Sequence, residues 1–174
     1  MTFITDTIAI GNFIDAEDRA NREAAGIRSI LCLNGLLQGC KPEDCGVEAL
    51  TCFKLRDGPG NDPWLFDRAV RIVGEYALKH PRLLVHCHAG RSRSVMVVAS
   101  HLVSQNAWDL RQALAFIHAK RPEIVLPDEL MSTWDVNNVG GIASANAVVL
   151  GSPSATARVS LNVKCSLPPT VCKV

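Results

Sequence analysis

Short apolar runs alternate with longer amphipathic stretches over residues 4–121 of this chain. The runs are bounded by Gly, Pro and polar turn residues, which is typical of buried strands. The stretches repeat their apolar residues every three to four positions, which is typical of helices that bury one face. The strands predicted are one strand or a pair within 4–10, then 27–33, 50–55 and 83–86; the helices predicted are 15–25, 62–79, 93–105, 109–121 and a short one over 128–135.

Several helix ends carry capping signals in the sequence. Asp15 is the predicted N-cap of the first helix. Gly26 is predicted to end this helix, because glycine readily adopts the left-handed backbone conformation that follows a helix. Asp62 and Pro63 fit the N-cap and first-turn positions of the second helix, and Asp109 begins the last one with a capping box. Because strands and helices alternate, we expect an α/β fold with a mostly parallel central sheet of about four to five strands and helices on both faces.

The run 86–94, His-Cys-His-Ala-Gly-Arg-Ser-Arg-Ser, lies between a predicted buried strand and a helix that is apolar nearly all round. In a strand, loop, helix arrangement the amides of 88–93 can turn inward at a helix N-terminus, which favours a bound dianion. Gly90 permits the bend where a Cβ would obstruct it. The segment therefore predicts a phosphate-binding loop.

The same nine residues supply the chemistry of a phosphoryl transfer. The field of the helix favours the thiolate of Cys87, which makes Cys87 the predicted nucleophile. Arg93 can offer two parallel N–H donors to phosphate oxygens, and the Ser94 hydroxyl can donate to the thiolate. His86 is expected to order the loop through hydrogen bonds rather than to act as a base.

This pattern, His-Cys-x-x-Gly-x-x-Arg-Ser, resembles the signature of the cysteine-dependent protein tyrosine phosphatases, and its inner residues make it most similar to the dual-specificity phosphatases. The resemblance covers roughly residues 5–136 and implies a protein tyrosine phosphatase-like fold. It divides the chain into a catalytic domain over 1–138 and a C-terminal extension of unknown structure over 139–174. It also implies that phosphate is bound by the loop residues His88, Ala89, Gly90, Arg91, Ser92 and Arg93.

Such a phosphatase needs an acid that protonates the leaving oxygen. Asp57 fits, because it follows a predicted strand in a loop 30 positions before Cys87 (87 − 57), about the separation that the resemblance implies. Asp62 is the rival, but its position before Pro63 is that of an N-cap. An aspartate before glycine is also a common turn residue, so the spacing is the main argument for Asp57.

Charge, hydropathy and cysteine content restrict the partners and the compartment that the chain can have. The formal net charge is +1 and no apolar stretch reaches the length of a membrane span, which gives no case for nucleic acid or membrane partners. Seven cysteines without a disulfide-framework spacing favour a reducing compartment, and we expect a cytoplasmic protein, with a monomer favoured. His86-Cys87-His88 has no second ligand pair at metal spacing, so no metal or cofactor is expected.

These features predict a phosphatase that acts on phosphorylated proteins or peptides, on phosphotyrosine and also on phosphoserine and phosphothreonine if the pocket is shallow. The alternatives are a sulfurtransferase with a persulfide on Cys87, a non-catalytic phosphate-binding module, and a phosphatase for phosphoinositides or other non-protein phosphates. A reversible disulfide between Cys87 and Cys32 or Cys52 is a further hypothesis. In the tail, residues 159–167 alternate as a strand would.

Overall fold

The computed structural model describes residues 1–58 and 60–125. Its five strands are β1 (Thr2–Phe3), β2 (Ile8–Gly11), β3 (Ser29–Cys32), β4 (Ala49–Cys52) and β5 (Leu83–His86). Its five helices are α1 (Phe13–Glu17), α2 (Arg19–Ala24), α3 (Pro63–Lys79), α4 (Arg93–Asn106) and α5 (Leu110–Lys120). The short helix predicted over 128–135 and the extension over 139–174 lie outside the described residues.

The strands form one sheet in the order β1-β2-β5-β3-β4, in which only the β1–β2 pair is antiparallel. The predicted α/β class with a mostly parallel sheet is therefore confirmed. In this register Gly11 and Cys32 both pair with His86, so the parallel strands end at one edge of the sheet. The loop that begins at Cys87 consequently lies between the chain segments that follow β2 and β3.

Helices cover both faces of the sheet. α3, α4 and α5 pack on one face and form the larger core, and the α1 side packs a smaller cluster against the other face. α4 is buried on every side from Arg93 to Leu102, as the absence of a polar stripe in that run predicts. A helix that is enclosed in this way holds its first turn in a fixed position beside the sheet.

The first predicted helix, 15–25, is wrong in its start and its continuity. Asn12 is the N-cap, and Asp15 is the third helical residue, whose carboxylate accepts from the Asn12 amide in a capping box. Asp18 ends α1 and caps α2, so the segment is two short helices. The end of the segment is correct, because Gly26 has a φ of +68°.

The other signals fit more closely. The β5 bounds are those predicted, and Asp62 caps α3 with Pro63 at its first turn. Asp109 and Gln112 form the predicted capping box of α5. Over 1–58 and 60–125 no helix combines the length and the apolar character that crossing a bilayer requires.

Candidate active site

The loop from Cys87 to Ser92 connects β5 to α4 at the carboxyl edge of the sheet. Ser92 occupies the N-cap of α4 without a capping hydrogen bond from its side chain, so the amides of the first turn are left for an anion. Gly90 has a φ of +68°, and a Cβ there would lie 2.5 Å from the Gly11 carbonyl oxygen. The tight bend in the loop therefore requires glycine.

Cys87 is 2% exposed at the base of this loop. Burial raises the pKa of its thiol, but the Ser94 hydroxyl and amide, the Arg93 charge and the Gly90 amide together lower the pKa below that of an ordinary cysteine. The Ser94 Oγ atom lies 3.4 Å from Cys87 Sγ. The site thus favours the thiolate, which is the reactive form of cysteine.

Arg93 lies beside the thiol with its side chain almost completely buried. Its Nη1 donates to the Leu55 carbonyl and its Nη2 to Asp57 Oδ2, both at 3.2 Å. Its Nε is buried and has no hydrogen-bond partner within the described part of the chain. A buried N–H without an acceptor costs about 1–3 kcal/mol, which an oxyanion in the site would offset.

Asp57 stands on the loop after β4 with 59% of its side chain exposed. Asn61 folds this loop: its side chain accepts from the Arg56 amide at 2.7 Å and donates to the carbonyls of Arg56 and Gly58. By contrast, Asp62 accepts from the Trp64 amide at the start of α3. The structure thus brings Asp57 to Arg93, and it confirms the predicted use of Asp62 as a helix cap.

His86 is fully buried, and its Nδ1 lies 3.3 Å from the Cys87 carbonyl oxygen. It stands in register with Cys32, which in turn stands in register with Cys52, so the three side chains form a row across β5, β3 and β4. A hydrogen bond from the Cys52 thiol lowers the pKa of Cys32 against the effect of burial, with help from His86. Cys32, Cys52 and Cys87 are free thiols in the structure. The disulfide between Cys87 and Cys32 or Cys52 stays a prediction.

A cleft of about 420 Å³ opens beside Arg93. It is lined by polar and basic groups together with one leucine: Asn34, Gly35, Leu36, Gln38, Lys54, His88 and Arg93. The His88 ring stacks on Phe13 at a centroid distance of 4.9 Å. No carboxylate lines this cleft within the described residues, so its electrostatic character favours an anion.

The side chains of the predicted phosphate-binding loop do not all face the cleft. His88 does, whereas the Arg91 guanidinium donates from Nε to the Glu123 carbonyl at 2.7 Å. The Ser92 hydroxyl is buried without a partner among the described residues. Ala89, Gly90, Arg91 and Ser92 can therefore serve phosphate through their amides rather than through their side chains.

The sequence analysis did not predict the residues that line the site but lie far from the loop in sequence. Phe13, Asn34 and Lys54 come from three segments that meet the loop only because their strands end at the same edge of the sheet. The one available signal was position, because residues just after parallel strands gather at that edge. Asn61 had a clearer signal, since asparagine commonly closes a turn through its own side chain.

Within the described residues, no group of three or more His, Cys, Asp or Glu side chains is arranged to hold a metal ion. The thiol, guanidinium, carboxylate and loop amides can together bind an oxyanion, attack it with sulfur and exchange a proton.

Comparison with known proteins shows similarity to phosphatases. The profile of the family "Dual specificity phosphatase, catalytic domain" matches residues 62–134, which include the whole loop but not Asp57. Dual specificity protein phosphatase 1 of Arabidopsis thaliana is 26% identical over 121 residues, and dual specificity protein phosphatase 22 of Homo sapiens is 30% identical over 122. Each alignment covers 70% of this chain, and it covers 60% of the Arabidopsis protein and 64% of the human one.

Solved structures share the fold. The crystal structure of DUSP15 has a TM-score of 0.67 at 22% identity and covers 85% of this chain and 90% of its own. PTPMT1 in complex with PI(5)P has a TM-score of 0.65 at 19% identity and covers 83% of this chain and 97% of its own. The profile match over residues 62–134 and the curated relatives thus support a dual-specificity phosphatase of the protein tyrosine phosphatase superfamily.

Proposed function

We propose that this chain is a cysteine-dependent phosphatase that hydrolyses phosphomonoesters on proteins through a cysteinyl-phosphate intermediate. The observation that carries the proposal is the buried Arg93 guanidinium beside a Cys87 thiol whose pKa is lowered. The Nε atom of Arg93 has no acceptor among residues 1–58 and 60–125. A phosphate dianion supplies the acceptor oxygens and presents its phosphorus atom to the sulfur. The similarity to dual-specificity phosphatases supports the same chemistry.

In the first step the Cys87 thiolate attacks phosphorus in line with the leaving oxygen. The S–P bond forms as the P–O bond breaks, and the Asp57 carboxylic acid gives its proton to the departing phenol or alcohol. The loop amides and Arg93 stabilise the charge on the three equatorial oxygens. Phosphate oxygens would compete with Asp57 for Arg93 Nη2, which frees the acid to reach the leaving group.

In the second step water attacks the phosphocysteine, and Asp57 accepts a proton from that water. The thiolate of Cys87 leaves, with the Ser94 hydroxyl donating to its developing charge from 3.4 Å. Inorganic phosphate is released and the enzyme returns to its starting state. His86 contributes by holding the Cys87 carbonyl rather than by exchanging a proton with substrate.

We favour phosphotyrosine as the substrate, with phosphoserine and phosphothreonine also accepted. The loop offers His88 to the cleft and contains no lysine, and the cleft is lined in addition by the uncharged polar residues Asn34 and Gln38. Such a site suits a phosphorylated side chain that projects from a peptide. The proposal includes no metal and no organic cofactor in the reaction.

A non-protein phosphate is the alternative substrate. PTPMT1, which shares the fold, was crystallised with PI(5)P, and Lys54 is a basic group in the cleft beside Arg93. The two substrates are separated by comparing kcat/KM for a tyrosine-phosphorylated peptide and a water-soluble phosphoinositide, in the wild type and in Lys54→Met. A higher kcat/KM for the phosphoinositide that falls selectively in Lys54→Met would replace the protein substrate with the lipid.

The activity is tested by hydrolysis of p-nitrophenyl phosphate with a metal chelator and a reductant present throughout. We expect turnover in the wild type and in the matched control Cys52→Ser, and none in Cys87→Ser. Activity that is retained in Cys87→Ser, or that is seen only when the chelator is omitted, would contradict the proposal. Sulfur transfer from thiosulfate to cyanide without phosphate release would identify the sulfurtransferase, and oxyanion binding without any turnover would identify a binding module.

A further inference from the structure

Two carbonyl oxygens of the loop between β5 and α4 are held by backbone donors from outside the loop. The Phe13 amide donates to the His88 carbonyl at 3.0 Å, and the Val125 amide donates to the Arg91 carbonyl at 2.9 Å. These donors come from opposite ends of the described chain, so two segments that are distant in sequence hold the loop. Neither bond involves a side chain.

A third loop carbonyl, that of Gly90, is held by a side chain. The Nε atom of Arg121, the residue that follows α5, donates to it at 2.9 Å. Arg121 is 5% exposed and is itself fixed, because its Nη1 donates to Thr2 Oγ1 at 2.9 Å and pairs with Glu123 at 3.1 Å. Its guanidinium therefore has one orientation, with Nε directed at the loop.

Peptide planarity converts these outer bonds into an inner geometry. In a trans peptide the C=O and the following N–H point in opposite directions within one rigid plane. A donor that fixes the Gly90 carbonyl therefore also fixes the N–H of Arg91 on the other side of the loop. By the same reasoning the bonds to His88 and Arg91 orient the amides of Ala89 and Ser92.

We propose that Arg121 is a positioning residue, which directs the Arg91 amide at the phosphate by holding the Gly90 carbonyl. This inference rests on the proposed function and adds to it a residue outside the nucleophile loop and the acid loop. The Arg121 guanidinium lies so close to Gly90 that a Cβ at this position would be 2.9 Å from Arg121 Nη2. Arg121 touches neither the thiol nor the substrate in this role; it acts through the peptide plane.

The test compares wild type, Arg121→Met, Arg121→Lys and the matched control Glu123→Gln. Glu123→Gln removes the ion pair between Arg121 and the half-exposed Glu123 carboxylate. It leaves the hydrogen bond from Arg121 Nε to the Gly90 carbonyl. Three quantities are measured: kcat with p-nitrophenyl phosphate, the affinity for orthovanadate as a phosphate analogue, and the pH dependence of Cys87 alkylation by iodoacetamide. Thermal unfolding establishes that each variant is folded at the assay temperature.

We expect Arg121→Met to lose about 10- to 100-fold in both kcat and orthovanadate affinity. Deleting an oxyanion donor costs about 10²–10³-fold, and a misdirected donor costs less. The midpoint of Cys87 alkylation should stay at the wild-type pH, because the Gly90 and Ser94 amides that face the sulfur belong to other peptide planes. Arg121→Lys should fall between wild type and Arg121→Met, since an ammonium lacks the planar fork of a guanidinium, and Glu123→Gln should behave as wild type.

A folded Arg121→Met that keeps wild-type kcat and orthovanadate affinity, with only a lower melting temperature, would overturn the proposal and leave Arg121 a purely structural residue. If Arg121→Met does not fold, the same criterion applies to Arg121→Lys. A wild type that binds orthovanadate but hydrolyses no phosphomonoester refutes the proposed function alone, and Arg121 is then judged by oxyanion affinity. A wild type that does neither overturns both.

Discussion

Replacing Ser94 with alanine isolates the contribution of one hydroxyl to the reactivity of Cys87. Ser94 Oγ lies 3.4 Å from Cys87 Sγ in a fully buried position. A hydrogen bond to a charged group contributes about 1.5–3 kcal/mol, and one pKa unit corresponds to about 1.4 kcal/mol. The Arg93 charge and the Gly90 and Ser94 amides remain in the variant, and the bond is long, so we expect the pKa of Cys87 to rise. The lower end of the energy range corresponds to about a tenfold loss of thiolate, and of alkylation rate, at pH values below the midpoint.

The assay is the rate of Cys87 alkylation by iodoacetamide as a function of pH, followed by mass spectrometry of the Cys87 peptide. Ser100→Ala is the matched control, because it is the same substitution at a buried position six residues further along α4, about 9 Å along the helix axis. The rising limb of the pH–activity profile should move upward with the alkylation midpoint. A Ser94→Ala midpoint equal to that of wild type and Ser100→Ala would refute the assignment of this hydroxyl.

Three further predictions follow from single features of the structure. Asp57→Asn should lower kcat by about 10²–10⁴-fold for a phenyl or alkyl phosphate and less for p-nitrophenyl phosphate, whose leaving group departs without a proton; equal losses on all three esters would count against the acid. Gly90→Ala should lower the melting temperature and the affinity for orthovanadate. A Cβ at this position would lie 2.5 Å from the Gly11 carbonyl oxygen, and a φ of +68° is strained for alanine. Calorimetry measures the melting temperature and a binding titration measures the affinity. Burial lowers the pKa of His101, so the unfolded chain binds the proton more readily, and the free energy of unfolding should decrease as the pH falls from 7 to 5. Urea unfolding at both pH values should show a smaller decrease in His101→Gln, and an unchanged decrease would exclude His101 as its source.

Local sequence signals were sufficient to predict helix ends at which the residue type favours a single backbone role. Gly26 adopts the left-handed conformation that ends α2, and Asp62 with Pro63 starts α3. The alternation of strands and helices was sufficient for the class of fold, because short parallel strands must be covered on both faces. The α1 region was predicted wrongly since Asn12, Asp15 and Asp18 are all good caps, and tertiary contacts select among them.

One such contact is visible in the structure. Arg22 of α2 is buried, and its guanidinium donates to the carbonyls of Ala16 and Cys45, which ties the two short helices to the loop before β4. A buried arginine on a short helix has no periodic signature in the sequence. Its second acceptor lies 23 positions further along the chain from Arg22, so this contact could not be predicted from local sequence.

The candidate site divides in the same way. The segment from His86 to Ser94 could be recognised as a candidate loop because the candidate nucleophile, the bend and the candidate phosphate donors are contiguous and lie between two buried elements. The contacts that orient the loop could not, because they join residues far apart in sequence, such as Arg121 to Gly90 and Phe13 to His88. Asp57 was predicted as the acid from its spacing, and its contact with Arg93 could be seen only in the structure.

The most direct test of the account is to trap the phosphoryl group on the enzyme. Asp57→Asn is mixed rapidly with p-nitrophenyl phosphate, whose leaving group needs no acid, and is denatured before the second step, which needs Asp57 as base. The account predicts a phosphoryl group on the peptide that contains Cys87, formed in a stoichiometric burst with nitrophenol. Nitrophenol released without phosphocysteine, or a phosphoryl group on another side chain, would contradict Cys87 as the nucleophile.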